Sequence, residues 1–261
     1  MSELQSHDIS IYGRSPVQEP RLFSGRRPLF SWVSDGRMVH TLVPKDPLGQ
    51  SQLAVKRQPV TLDEFLASGG APLSAERTPY LAYALNAAPG THKHKNLAYV
   101  PMIESSLHGL EICFTNLKLH GYLTHTLARR DPKHPRFLFI ALLAPGDWAK
   151  LLQHEQVGEN ARLVRLREGY IQLKNGRWLD HAYTILPKEQ AGILLDESGP
   201  VPSHKYTQEQ LWGRYEGLKS SPCGQWVSAS AVGTSPPPQE RVADLLLADK
   251  PTYAELADPH L

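Results

Sequence analysis

Cysteine and long apolar runs are scarce in this chain. Only Cys113 and Cys223 occur among 261 residues, and their contexts match neither a disulfide framework nor the paired cysteines of a zinc site. The longest apolar run, residues 137–144, is far shorter than the ~20 residues that span a bilayer. Residues 1–10 are polar and lack the apolar stretch of a signal peptide. We therefore expect reduced thiols, no membrane partner and a cytoplasmic location.

The sequence also lacks an excess of charge of either sign. The formal net charge is +2, and basic residues gather only in short pairs such as Arg26-Arg27 and Arg129-Arg130. Proteins that bind nucleic acids usually carry a concentrated basic surface. We therefore expect no nucleic-acid partner, and no feature of the sequence determines an oligomeric state.

Two common catalytic motifs are missing, because the chain has neither a Gly-x-Ser-x-Gly elbow nor a phosphate-binding glycine loop. His92 and His94 alternate, and His120 and His125 follow, but no cysteine or carboxylate accompanies them at ligand spacing. The pattern favours surface histidines, and we predict no metal and no other cofactor. Cys113 lies in an apolar, strand-like run, where thiols are usually inert.

Turn residues divide the chain into three parts. Residues 1–70 are interrupted by many proline and glycine turns and predict an atypical N-terminal extension. Residues 71–232 are more regular and predict the main domain. Residues 233–261 begin near three consecutive prolines, which predict a linker, and residues 239–248 have the apolar spacing of a short C-terminal helix.

Two local signals in the extension predict defined structure. Asp35-Gly36 favours a tight hairpin between strands at residues 29–33 and 38–43, because both residues tolerate a positive φ. Thr61 and Glu64 have the spacing of a helix capping box.

The main domain is predicted to be rich in strands, at residues 80–83, 97–103, 110–115, 122–127 and 136–143. A helix follows, in which Trp148, Leu151 and Leu152 share one face and Asp147 is the expected N-cap. Glu155 ends this helix. Strands at residues 163–173 and 177–186 are then joined by Asn175-Gly176, a strong hairpin signal, before a last helix at residues 207–218.

Residues 80–206 resemble the γ-glutamylcyclotransferase-like family in the order of four motifs. Residues 83–86, Tyr-Ala-Leu-Asn, stand where the family has Tyr-Gly-Ser-Asn after a strand, and Glu155-Gln156 stands where a helix ends in Glu-Gly. The Asn175-Gly176 turn and residues 202–206, Pro-Ser-His-Lys-Tyr, are similar to later family motifs. The resemblance implies an α+β fold with a small mixed, mostly antiparallel β-barrel flanked by helices.

The resemblance also implies an activity on a small-molecule substrate. In such enzymes the α-amine of a γ-glutamyl amide attacks its own γ-carbonyl, which forms 5-oxoproline and releases the amine. Holding the glutamyl chain folded supplies much of the acceleration. The family motifs assign the proton shuttle to Glu155, with a pKa raised by apolar neighbours. They assign substrate binding to Tyr83, Ala84, Leu85, Asn86 and Tyr206.

Three departures from the family motifs leave the substrate open. Ala84-Leu85 replaces Gly-Ser, which adds bulk and removes a hydroxyl, and Gln156 replaces glycine. We expect a lyase acting on a γ-glutamyl amide, such as a glutathione-derived conjugate in specialised metabolism. The alternatives are the same fold redirected to another cyclisation or rearrangement, or a protein that binds a small molecule without turnover. For Glu155, the alternative is a solvated carboxylate at a helix end.

Overall fold

Strands make up most of the computed structural model, which describes residues 4–19, 23–119, 122–129, 135–187, 192–197, 199–212, 219–222 and 246–247. The α-helices in these ranges are α1 (Leu62–Ser68), α2 (Pro89–His94), α3 (Pro145–His154) and α4 (Gln208–Trp212). The strands are β1 (Ser6–Asp8), β2 (Trp32–Ser34), β3 (Met38–Thr41), β4 (Gln52–Val55), β5 (Gln58–Thr61), β6 (Thr78–Ala82), β7 (Met102–Leu107), β8 (Leu110–Leu119), β9 (Tyr122–Arg129), β10 (Arg136–Leu143), β11 (Ala161–Arg167), β12 (Ile171–Leu173), β13 (His181–Pro187), β14 (Gly192–Asp196), β15 (Gly199–Pro200), β16 (Lys219–Pro222) and β17 (Leu246–Leu247).

The largest sheet in the described part of the chain has ten strands in the order β1-β3-β2-β7-β10-β6-β13-β11-β17, with β12 also paired to β7. Its pairs are antiparallel except β13 with β6, where Tyr183 faces Tyr80. A second sheet has the order β15-β14-β8-β9, with β16 paired to β14. The predicted α+β class and mostly antiparallel pairing are confirmed, whereas the pairings between described strands do not close a barrel.

Strand β10 explains the longest apolar run of the sequence. Its side chains alternate between two apolar clusters, with Leu138, Ile140 and Leu142 in one and Phe139, Ala141 and Leu143 in the other. A strand covered on both faces must be apolar at every position rather than at every second one. The large sheet therefore has a hydrophobic core on each side.

Helices α1 and α3 cover opposite faces of this sheet. Thr61 caps α1, and the capping box with Glu64 is present as predicted, which directs Leu62 and Phe65 into the first cluster. Trp148 and Leu151 of α3 lie in the second cluster. Glu155 follows the last residue of α3, so the packing of this amphipathic helix fixes where the carboxylate lies.

The first strands of the chain belong to the same sheet as the later ones. Strands β2 and β3 form the hairpin predicted at Asp35-Gly36, and Gly36 has a φ of 90°. Trp32 of β2 then pairs with Met102 of β7, which joins this hairpin to the middle of the chain. The boundary between an extension and a main domain near residue 70 stays a prediction.

Two predictions about the central elements were wrong. The strand expected at residues 97–103 begins only at Met102, because α2 and an irregular connection precede it. Helix α3 begins at Pro145 with Ala144 as its N-cap, so Asp147 occupies the third helical position. There Asp147 Oδ2 accepts a hydrogen bond from the Ala144 amide at 3.1 Å, which satisfies one of the free donors at the helix start.

The predicted hairpin at Asn175-Gly176 is partly correct. The Gly176 amide donates to Leu173 O at 2.9 Å, and Gly176 has a φ of 90°, as expected for a tight turn. The strand expected at residues 163–173 is split, however, because β11 pairs with β13 whereas β12 pairs with β7.

The C-terminal predictions fall mostly outside the described residues. The proline-rich linker and most of the helix expected at residues 239–248 lie there, as do residues 213–218 of the last predicted domain helix. Leu246 and Leu247 are described, and they form a strand paired with β11 rather than a helix. Backbone pairing with β11 accompanies their extended conformation.

Candidate active site

A short turn after β6 forms one side of the candidate site. Residues Ala84–Ala87 adopt a 3-10 helix, and Ala84 has a φ of 52°. This left-handed conformation favours glycine, because a Cβ atom approaches the backbone there. The motif that residues 83–86 resemble has glycine at the second position, and the backbone conformation of Ala84 is one that suits glycine.

The end of α3 forms the opposite side. Glu155 is the C-cap residue, and Gln156 follows with a φ of 52°. The Val157 amide donates to Leu152 O at 3.1 Å, which completes a Schellman motif. The motif that Glu155-Gln156 resembles has glycine at its second position. Both positions at which the chain differs from the motifs it resembles therefore have a left-handed backbone, and the Schellman motif terminates α3 so that Glu155 faces the turn.

Asn86 joins these two sides through its amide group. Its Nδ2 donates to Glu155 Oε1 at 3.1 Å and to the Tyr80 hydroxyl at 3.1 Å, and its Oδ1 accepts from Lys95 Nζ at 2.7 Å. Lys95 Nζ also contacts Glu155 Oε1 directly. One carboxylate oxygen is thus held by two donors, and Oε2 accepts no hydrogen bond from a described residue.

The charge state of Glu155 is set by two opposing effects. Burial raises the pKa of its carboxyl, but the Lys95 ammonium and the hydrogen bonds from Lys95 and Asn86 outweigh burial, so the pKa lies below its ordinary value. The Glu155 side chain is 23% exposed and that of Lys95 only 2%. The expectation of a raised pKa was therefore wrong for this state, because Lys95 adds a positive charge.

His92 holds the turn through a hydrogen bond to the main chain of Asn86. Its Nε2 lies 3.0 Å from Asn86 O, and since a carbonyl only accepts, this nitrogen carries the hydrogen. Burial, opposed by this hydrogen bond but reinforced by the charge of Lys95, lowers the pKa of His92 to about 4. The expected surface position of His92 is wrong, because the residue lies in α2 and is buried against Trp32, with ring centroids 5.0 Å apart.

Two cavities meet at Glu155. The first has a volume of about 80 Å³ and is lined by the turn, by Tyr80 and by part of β9; we call it the turn cavity. The second, of about 410 Å³, is bordered by Lys95 and the end of α3; we call it the helix-end cavity. Glu155, Leu85 and Tyr122 line both. The carboxylate therefore lies between two spaces that a ligand could occupy.

The structure brings most of the predicted site residues together. Ala84, Leu85, Asn86 and Glu155 line the turn cavity. Tyr83 also lines it, but its hydroxyl donates to Ile185 O at 2.6 Å and is used to hold the turn against β13. Their roles in binding and catalysis stay predictions.

Tyr206 lies apart from this group. Its ring packs against an apolar cluster that includes Phe114 and Leu211, and it lines neither the turn cavity nor the helix-end cavity. Lys205 Nζ lies 5.5 Å from the centre of the Tyr206 ring. A role for Tyr206 at the carboxylate would therefore require a rearrangement of residues 202–206.

Sequence reasoning missed Lys95 and Tyr80, which with Glu155 are the hydrogen-bond partners of the Asn86 side chain. Tyr80 lies in β6, directly before the turn. Because side chains alternate along a strand, its position indicated that it points to the same face of β6 as Ala82. Nothing near Lys95 distinguished it from the surrounding Lys93 and His94 in the printed sequence. Only the C-cap position after α2, where its side chain turns inward, separates it from its neighbours.

Within the described ranges, no group of three or more histidine, cysteine, aspartate or glutamate side chains is arranged to hold a metal ion. None of the helices in the same ranges is both long and apolar enough to cross a lipid bilayer. Comparison of the chain with protein-family models, with curated proteins and with solved structures found no match in any of the three.

Proposed function

We propose that this protein is an enzyme of the γ-glutamylcyclotransferase type, which releases 5-oxoproline from a γ-glutamyl amide. The observation that carries the proposal is the contact between Glu155 and Asn86 beside the left-handed turn at Ala84. These residues are 69 positions apart and meet at a cavity, which supports the proposal because the family motifs assign both of them to one site. We also propose that the large sheet is the counterpart of the family's barrel.

The reaction needs one proton route and no water. The substrate α-ammonium gives a proton to Glu155, the resulting amine attacks the γ-carbonyl, and a five-membered ring forms as the new C–N bond closes. Glu155 gives this proton to the leaving nitrogen as the bond between that nitrogen and the γ-carbonyl carbon breaks. The ring nitrogen, which still carries two hydrogens after the attack, loses one of them to Glu155, and Glu155 passes this second proton to the released amine or to solvent. Oε2 is the oxygen suited to this exchange, because Oε1 is held by Asn86 and Lys95.

Lys95 would favour the first of these steps electrostatically. A positive charge beside the bound substrate disfavours the α-ammonium and favours the neutral amine, which is the nucleophile. The same charge makes Glu155 a weaker base, because it lowers the pKa of the carboxyl. The net effect depends on how far the substrate amine lies from Lys95 relative to Glu155.

Leu85 would restrict the substrates. Its side chain lines both cavities at the position where the family has serine, and it is 6% exposed. The turn cavity, about 80 Å³, is below the roughly 300–1,000 Å³ of ordinary ligand pockets. A substrate that leaves the lining of the turn cavity unchanged would have to extend into the helix-end cavity, which suits a glutathione-derived conjugate better than a compact amide.

The reaction can be tested with a panel of γ-glutamyl amides and detection of 5-oxoproline by mass spectrometry. We expect product with the wild type and a loss of at least about 100-fold in kcat with Glu155→Gln, because the amide cannot carry the proton. Glu159→Gln, which changes an exposed glutamate four residues away, is the matched control and should leave kcat unchanged. No 5-oxoproline from any amide of the panel contradicts the proposal.

A second candidate function is the binding of a small molecule without turnover. The contact of Lys95 with Glu155 favours it, because this ion pair already occupies the carboxylate oxygen Oε1. Another cyclisation or rearrangement on the same fold is the third possibility. Saturable binding of a γ-glutamyl amide without release of 5-oxoproline would support binding alone, whereas a product of unchanged mass would indicate a rearrangement.

A further inference from the structure

The turn cavity has a polar side and an aromatic side. Asn86 and Glu155 lie on the polar side, and Phe23, Tyr122 and His125 form what we call the aromatic wall. The polar side matches the charged glutamyl half of the proposed substrate. The proposed proton route does not use the aromatic wall. The residues of the wall can therefore indicate which leaving group is attached to the glutamyl group.

The rings of the aromatic wall are in direct contact. Phe23 stacks on Tyr122 with ring centroids 4.5 Å apart and an angle of 29° between the planes. Phe23 also meets the ring of His125 edge-on, at 4.9 Å and 70°. Tyr122 and His125 are held by β9, whereas Phe23 lies in an irregular connection and is the only member of the wall outside a strand.

His125 has hydrogen-bonding groups that the described residues do not use. The residue is 8% exposed, and neither ring nitrogen has a hydrogen-bond partner in the described part of the chain. Burial, together with the charge of Arg27, lowers the pKa of His125 to about 3. The neutral imidazole therefore offers one donor and one acceptor at physiological pH, and a buried polar group without a partner is unfavourable.

The turn cavity could admit an aromatic group only if part of its lining moved. Its volume of about 80 Å³ is too small for a ligand larger than a few atoms. Withdrawal of the Phe23 ring would free a space of aromatic shape, bounded by Tyr122 on one face and by His125 at the edge. The backbone of β9 need not change for this to happen.

We propose that the Phe23 ring occupies the subsite of an aromatic leaving group, which displaces Phe23, stacks on Tyr122 and forms a hydrogen bond with His125. The identity of this group as a leaving group rests on the proposed function, but its binding does not. The ligand class is a γ-glutamyl amide of an aromatic or heteroaromatic amine. Stacked aromatic pairs are favourable beyond their buried area, which accounts for the preference.

The probes are L-glutamic acid γ-anilide and L-γ-glutamylglycine, titrated calorimetrically into the full chain carrying Glu155→Gln so that turnover does not interfere. We expect the anilide to bind at least about fivefold more tightly than the glycine amide. Adding Phe23→Ala should tighten anilide binding further, since the internal competitor is removed. Phe137→Ala, at an aromatic residue that is 74% exposed and outside the turn cavity, should change neither affinity.

A third probe, the γ-(3-pyridyl) amide, tests the hydrogen bond. It should bind more tightly than the anilide to the protein with His125 intact, and His125→Phe should abolish that difference. Circular dichroism checks that the Phe23→Ala variant is folded. Phe23→Leu serves as a second, more conservative variant in case Phe23→Ala misfolds. Equal binding of the anilide and the glycine amide, binding of neither, or weaker anilide binding after Phe23→Ala overturns the subsite.

The same probes separate the subsite from the reaction. If the wild type releases no 5-oxoproline but the anilide preference and its dependence on Phe23 persist, the reaction is wrong and the subsite stands. If the wild type releases 5-oxoproline from both amides at equal kcat/KM and binds them equally, the reaction stands and the subsite is wrong.

Discussion

Helices α2 and α3 end in nearly the same backbone conformation. Their C-cap residues, Lys95 and Glu155, have φ and ψ of −86° and 4°, and −86° and 2°. The next residues, Asn96 and Gln156, have φ values of 54° and 52°. Leu97 N donates to the carbonyl five residues earlier at 2.9 Å, as the matching amide of α3 does at 3.1 Å. Both helices therefore end in a Schellman motif.

The residues at the two ends differ in how well they suit their positions. A lysine at a helix C-terminus is favoured by the exposed carbonyl groups, whereas a glutamate is disfavoured by them. Asparagine also adopts the left-handed conformation more readily than glutamine. Glu155 and Gln156 thus occupy positions at the end of α3 that their residue types disfavour. Tertiary contacts with Lys95 and Asn86 must stabilise Glu155 there. Such conflicts are typical of functional sites.

The largest expected effect comes from breaking the contact between the two helix ends. Lys95→Met leaves the largely buried Glu155 carboxylate without its counter-ion, and we expect a loss of about 3 kcal/mol in the free energy of unfolding. The pKa of Glu155 should rise, because burial then acts against fewer opposing charges. Urea denaturation measures the first change, and NMR titration of the carboxyl measures the second.

The double variant Lys95→Met, Glu155→Gln isolates the pair. It should recover at least half of the lost stability, since no unpaired charge remains. Lys174→Met is the matched control, because Lys174 also pairs with a glutamate but its side chain is 53% exposed, and it should cost less than about 0.5 kcal/mol. A loss of equal size in both lysine variants contradicts a special role for Lys95.

The next-largest expected effect is a pH dependence of stability that comes from His92 in α2. His92 of α2 occupies the position that corresponds to Leu152 in α3, and the pKa of its imidazole is lowered from 6.5 to about 4. Between these values the unfolded chain binds a proton that the folded protein does not. The contribution of His92 to the free energy of unfolding is therefore fully present above pH 6.5 and is lost as pH falls toward 4. The expected loss between pH 7 and pH 5 is about 2 kcal/mol.

His92→Gln should reduce this pH dependence, because glutamine can donate to Asn86 O without titrating. Guanidinium unfolding at pH 7 and pH 5 compares the variant with the wild type. His7→Gln, in β1 at the far edge of the sheet, is the control and should keep the wild-type slope. An unchanged slope in His92→Gln would mean that His92 is protonated in the folded state well above pH 4.

The smallest effect concerns the left-handed residues. Gln156→Gly should raise the free energy of unfolding by about 1 kcal/mol, because glycine adopts a positive φ without steric conflict. Asn96→Gly should give about half of that gain or less, since asparagine already tolerates the conformation. Thermal unfolding measures both. A larger gain at Asn96 than at Gln156 would remove the conflict inferred at the end of α3.

Local chemistry made several elements predictable. The Asp35-Gly36 hairpin and the Thr61 capping box depend on groups within a few residues of each other, so the sequence around them was sufficient. The turns at Asn175-Gly176 and after Tyr83 were predictable for the same reason. The partner strand of β12 was not, because its pairing with β7 joins residues that are distant in the sequence, such as Ile171 and Leu107.

The α+β class, the amphipathic helix that carries Glu155 and the order of the motifs around it follow from the sequence without further information. The contact of Lys95 with Glu155 and that of Phe23 with His125 are visible only in the three-dimensional fold. These contacts join residues separated by 60 positions or more, and no local periodicity encodes such a distance. They follow instead from how two helix ends and one loop pack on a shared sheet, which is where the charge and the space of the site are set.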